Sequence, residues 1–169
     1  MESYKILYQY KAHKNSLKLL SEKKNSIIFG NNERSFAIKF NPQKFNNFIN
    51  NNFLKFHIRQ TIITDQKLAF LIVNSKRMNL KFINCELSNG EEKEAILDEN
   101  NNVSVYLLTK IVEKNTNSIN NITLFSNEHN RIRISKSGII NFTKDEKILK
   151  KIIDIINLGK EALNNEKNI

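Results

Sequence analysis

Six lysines, Lys5, Lys11, Lys14, Lys18, Lys23 and Lys24, fall within the first 24 residues, and Tyr8 and Tyr10 stand among the first of them. Ammonium groups hold phosphates, and phenol rings stack on nucleobases, a contact worth about 1–3 kcal/mol per base in single strands. Arg34, Lys39, Arg77 and Lys81 continue the series, and Arg131 and Arg133 resume it far along the chain. Two other readings of these residues stay open. The tyrosines, which share a strand face with Ile6, can pack in the core with their hydroxyls at its rim. The lysines and arginines can form a solvated outer face.

Residues for bond-making chemistry are harder to assemble. No P-loop, G-x-G-x-x-G or nucleophile-elbow pattern occurs, and four glycines leave little material for loops that cradle phosphates. His13, His57 and His129 lie far apart, and neither H-x-x-x-H nor C-x-x-C spacing is present, so no zinc site is nominated. Cys85, beside Glu86 in an apolar strand, reads as a core thiol rather than a nucleophile. The acidic run Glu91, Glu92, Glu94, Asp98 and Glu99 lacks the ligand order of an EF-hand and reads as a solvated loop. No catalytic residue, metal ligand or cofactor is expected.

The 169 residues suit one domain, with two repeats, 1–60 and 64–164, as the alternative organisation. A 40% hydrophobic content is that of a globular chain. The longest apolar run, Leu68 to Val73, falls well short of the roughly 18 residues of a membrane span, so no membrane partner is expected. The start Met1-Glu2-Ser3-Tyr4 lacks a signal-peptide pattern. With one cysteine there is no internal disulfide, and an intracellular, reducing setting in cytoplasm or nucleus is expected.

Net charge is +10, but abundant Asn, Lys, Ile and Phe with scarce Gly and Pro is what AT-rich codons produce whatever the function. The distribution is more informative. Residues 1–90 hold 15 Lys and Arg against 5 Asp and Glu, whereas residues 91–169 hold 12 of each. Codon usage acts on both halves alike, so the asymmetry points to a polyanion-binding face in the first.

Positioning elements follow from periodicity. Alternation predicts strands over Tyr4–His13, around Leu17 and Leu19, over Ser26–Phe29 and over Phe36–Phe40. Asn41-Pro42 is a cap followed by proline at the first helical position, and Phe45, Phe48, Ile49, Phe53 and Phe56 form an apolar stripe, predicting a helix to about residue 56. A rival reading makes Phe53–Ile62 a strand with Lys55, His57 and Arg59 outward. Further strands are predicted over Lys67–Asn74, Met78–Leu87, Val103–Val112, Ile119–Phe125, Arg131–Ile134 and Gly138–Phe142. The loop 89–102 carries one helical turn at Glu92–Leu97. Thr143 and Glu146 form a capping box opening a last helix, with Ile148, Ile152, Ile155, Ile156 and Leu163 on its apolar side and a frayed end at 164–169.

The result is an α+β chain of antiparallel sheets each followed by a helix, with two four-strands-plus-helix repeats as one arrangement of them. Ile38-Lys39-Phe40-Asn41-Pro42-Gln43 lines up with Ile140-Asn141-Phe142-Thr143-Lys144-Asp145. The first junction, continued to Phe48, resembles the last-strand-to-helix junction of the positive-coactivator-four family, Ile-Ser-Leu-Asn-Pro-Glu, with Phe45 at that family's aromatic position. Lys136-Ser137-Gly138-Ile139 and Thr143–Ile148 loosely resemble it too. Tyr4–Phe56 is similar to a Pur-alpha repeat, and the doubled plan is similar to that of Whirly proteins. The family's glycine before the strand has no counterpart ahead of Ile38, where Ser35 and Phe36 stand, and the middle holds an extra strand. The resemblance implies a curved antiparallel sheet binding single-stranded nucleic acid. The expected function is non-catalytic binding of single-stranded DNA or RNA, in a transcription or replication accessory role. A homodimer is admitted, and the alternative is a module that grips an acidic protein partner.

Overall fold

The computed structural model describes residues 1–11, 27–31, 34–114, 117–126, 130–142 and 146–158. Its strands are β1 (Glu2–Gln9), β2 (Ile27–Phe29), β3 (Ser35–Lys39), β4 (Ile58–Gln60), β5 (Leu80–Leu87), β6 (Ile119–Ser126), β7 (Arg131–Ser135) and β8 (Ile139–Phe142). Its α-helices are α1 (Pro42–Asn52), α2 (Asp65–Asn74), α3 (Val105–Lys114) and α4 (Glu146–Leu158). The strands form one sheet in the order β2-β3-β1-β8-β7-β6-β5, with β4 also on β1, and every pairing is antiparallel. The chain is thus α+β, as expected. β5 through β8 are sequential neighbours in the sheet followed by α4, with α3 inserted between β5 and β6. The strand expected around Leu17 and Leu19, and Thr143 of the capping box, lie outside the described residues.

Period-two geometry sends neighbouring side chains to opposite faces of a sheet, and in β1 both faces are buried. Tyr4 and Ile6 point into the larger core, with Leu124, Ile132, Ile134 and the α4 residues Ile152, Ile153 and Ile156. Leu7 points the other way, into a smaller core with Phe36, Ile38, Phe45, Phe56 and Ile58. Burying such a side chain contributes about 1.5–3 kcal/mol, so α1 is held on the sheet largely through Phe45. The cap is as predicted: Asn41 Oδ1 accepts from Gln43 N at 3.1 Å and Lys44 N at 3.2 Å. The helix ends at Asn52, earlier than residue 56, after three asparagines of poor helix propensity. Turns then lead through His57, in the left-handed region at φ 53°, to the short β4, the one part of the rival Phe53–Ile62 strand that forms.

Two predicted strands are helices. Residues 67–74 belong to α2, where Thr64 Oγ1 accepts from Lys67 N at 3.4 Å and Asp65 adds negative charge to the first turn. Leu68, Leu71 and Ile72 are its buried stripe. Ala69, Phe70 and Val73 fill in between, so the run looks uniformly apolar and its period is hidden. Residues 105–112 belong to α3, where Ser104 Oγ accepts from Leu107 N at 3.3 Å and Leu108 is buried. The helical turn expected at Glu92–Leu97 is a 3-10 turn over Lys93–Ile96.

A buried carboxylate ties α4 to the turn after β2. Asp154 is 4% exposed, and its Oδ2 accepts from Asn31 N at 2.7 Å. Gly30 N donates to Ser35 O at 2.7 Å, which seats the turn so close to α4 that a Cβ at Gly30 would overlap Asp154 Oδ1. Gly30→Ala should therefore destabilise the fold by about 1–3 kcal/mol, the usual cost of overpacking. A urea-denaturation midpoint equal to that of the parent chain would show that the turn is not clamped.

Candidate nucleic-acid interface

The antiparallel register of β1 and β3 sets Tyr8 opposite Ser35, and Gln9 N donates to Arg34 O at 2.8 Å. On the other edge of β1, Tyr8 pairs with Arg59 of β4. Tyr8, Tyr10 and Arg34 thereby converge on one cavity of about 440 Å³, whose wall also includes Lys67 of α2 and Asn157 of α4. That volume lies within the roughly 300–1,000 Å³ of small-ligand sites.

The cavity's groups are held from several sides. Tyr10 is 40% exposed, and its backbone N donates to His57 O at 3.0 Å. The His57 ring meets the Tyr10 ring edge-on at 5.4 Å between centroids, with His57 Nδ1 3.3 Å from the phenol oxygen. The Arg59 guanidinium lies over the Tyr10 ring at 4.5 Å. Such a cation–π contact is worth about 0.5–1 kcal/mol at an exposed site, and it presents charge and ring together. Lys67 Nζ donates to Ile62 O at 3.2 Å, and burial lowers its pKa. Thr61 Oγ1 donates to Asn157 Oδ1 at 2.8 Å. That bond orients the Asn157 amide, whose Nδ2 is buried without an acceptor. Rings and cations together suit a base with its phosphate.

The remaining expected residues do not join this cavity. Lys5 corrects the outward face read from alternation: it is 8% exposed, beneath α1. Its Nζ donates to the Ser137 carbonyl, and burial lowers its pKa. Lys39 is exposed and paired with Glu2 at 2.7 Å. Arg77 lies in the 3-10 turn after α2, beside a groove between α2 and α3. Lys81 is on β5, and Arg131 and Arg133 are exposed on β7. Arg133 is engaged within the sheet, donating to Asn121 Oδ1 at 3.2 Å and to Glu86 Oε2 at 3.0 Å. Lys11 is exposed just past Tyr10, while Lys14, Lys18, Lys23 and Lys24 lie outside the described residues.

Arg59 and Lys67 are not among the cations that the sequence nominates. Arg59 was legible in the rival strand reading, which pointed it outward. Lys67 is hidden in the sequence because the apolar run 68–73 shows no helical period. Among the described residues no three His, Cys, Asp or Glu side chains group to hold a metal ion, and no helix is long and apolar enough to cross a membrane. Comparisons with protein-family models, with curated proteins and with solved structures find no match to this chain.

The tyrosines differ in reactivity. Burial, followed by the hydrogen bond that Tyr4 Oη donates to Glu2, pushes the Tyr4 phenol up to about 12. Nitration by tetranitromethane at pH 8, which needs the phenolate, should reach Tyr10 and Tyr106, 40% and 65% exposed, and spare Tyr4. Peptide mapping that found Tyr4 nitrated as fast as Tyr10 in the folded chain would contradict this geometry.

Proposed function

We propose that this protein binds single-stranded DNA or RNA without catalysing a reaction, taking a base against Tyr8 and Tyr10 with its phosphates toward Arg34, Arg59 and Lys67. The observation that carries the reading is the convergence of two tyrosines and Arg34 on one cavity, with a guanidinium already stacked on one of the rings. An acidic protein would engage the same cations, but it would make no use of the rings. Duplex nucleic acid keeps its bases stacked internally and offers them nothing. The excess of Lys and Arg in residues 1–90 supplies the attraction at longer range.

The test is fluorescence polarisation of a labelled oligo(dT), its RNA equivalent and a duplex, titrated at 50 and 200 mM salt. Single strands should bind more tightly than duplex. Log affinity should fall linearly with log salt, by about 0.7 per phosphate contacted. Tyr10→Ala, at an exposed ring, should cost about 5- to 150-fold in affinity, the equivalent of one stacked base. Arg34→Glu should weaken every sequence alike and flatten the salt dependence. No single-strand binding at 50 mM salt, or a slope near zero, would overturn the proposal.

A further inference from the structure

A second cluster of chemistry lies on another part of the sheet. Phe125 of β6 alternates with Leu124, which points into the larger core, so Phe125 faces the opposite side. By the same alternation Tyr8 lies on the core side with Ile6, so the two aromatic positions occupy opposite faces of the sheet. Phe125 is half-buried, and its direct cross-strand partners are Lys81 on β5 and Arg131 on β7. Cross-strand partners on one face have Cβ atoms about 4.5–5.5 Å apart, so the side chains of Lys81 and Arg131 start beside the ring, one on each side.

The neighbouring charges on this face are spent, and those at Phe125 are not. Arg133 spans to Glu86, with Asn121 also bonded to both, which neutralises the face's carboxylate on β5. Among the described residues neither Lys81 nor Arg131 makes an ion pair. Lys81 also walls a cleft of about 700 Å³ at the β5 edge, together with Lys76 and Lys93. Lys93 Nζ sits 6.0 Å from the centroid of Phe82 there.

We infer that this row is a second single-strand contact: a base stacks on Phe125, its flanking phosphates meet Lys81 and Arg131, and the strand leaves over the β5 edge along Lys76 and Lys93. The inference rests on the nucleic-acid reading and adds a face that the tyrosine cavity does not require. A ring between two unspent cations matches the alternation of base and phosphate along a single strand, and it would give a purely acidic peptide no use for Phe125.

The experiment combines polarisation titration with photocrosslinking, using an oligo(dT) in which 5-iodouracil replaces scattered thymines. In the full chain, crosslinks should map to Phe125. Phe125→Ala should weaken binding about 5- to 50-fold, and Phe125→Tyr should restore it. Lys81→Ala with Arg131→Ala should lower the salt slope by about 1.4, two phosphates at about 0.7 each. Because those two side chains are exposed, the charge variants keep the test open even where Phe125→Ala fails to fold. Binding unchanged within twofold in the charge variants, with no crosslink to residues 119–135, overturns this second contact. If Tyr10→Ala still impairs binding in that case, the proposed function stands. Absence of binding by the parent chain overturns both.

Discussion

β1 is hydrogen-bonded along both edges, to β3 on one side and to β8 and then β4 on the other. A strand in that position has no solvent edge, and each of its faces must be covered or polar. Here both are covered, by the α4 core on the Tyr4–Ile6 side and by α1 with Phe56 and Ile58 on the Leu7 side. The first 60 residues and the last 40 are joined through this strand, because β8 pairs with it directly. The end of β1 is where the cover stops, and there Tyr8 and Tyr10 meet the start of β3, the β4 segment, Lys67 in the first turn of α2 and Asn157 in the last turn of α4 at one cavity.

The same constraint decides what the positive charge can do. Lys5 sits in the covered part of β1, and its ammonium satisfies the Ser137 carbonyl instead of meeting solvent. Lys39 and Arg133 are matched with Glu2 and Glu86. Exposed pairs of this kind contribute little to stability, about 0–1 kcal/mol, but they lower the charge available to a polyanion. Among the described residues, cations stand beside rings at the tyrosine cavity, where Arg59 lies over Tyr10, and on the opposite face, where Lys81 and Arg131 are the cross-strand partners of Phe125. A net charge of +10 is therefore a poor guide to any single surface, and its placement in the fold carries the information.

Local chemistry was the most legible part of the sequence. Asn41-Pro42 specifies its helix start by side-chain capping and a fixed φ, and nothing distant alters it. The strands β5 to β8 follow from apolar positions facing the larger core, and β2 and β3 from apolar positions shared between the two cores. Leu68–Val73 misled because a helix with few polar interruptions has no visible period, and the deciding signal was the small one at Thr64 and Asp65. Lys5 misled because alternation separates two faces without telling whether the second is open, and Phe45, 40 residues away, closes it. The meeting of Tyr8 with Arg34 depends on the register of β1 with β3, which the pattern of neither strand contains.

The chain has no tryptophan and four tyrosines, two of which, Tyr8 and Tyr10, line the cavity, so its intrinsic emission includes those rings. Titrating unlabelled single-stranded oligonucleotide should quench that emission saturably, with the midpoint seen by polarisation. A Tyr8→Phe/Tyr10→Phe chain, which keeps the stacking rings, should bind comparably and lose most of the quenching. Binding by polarisation with tyrosine emission unchanged, or quenching equal in that variant, would contradict the placement of bases on Tyr8 and Tyr10.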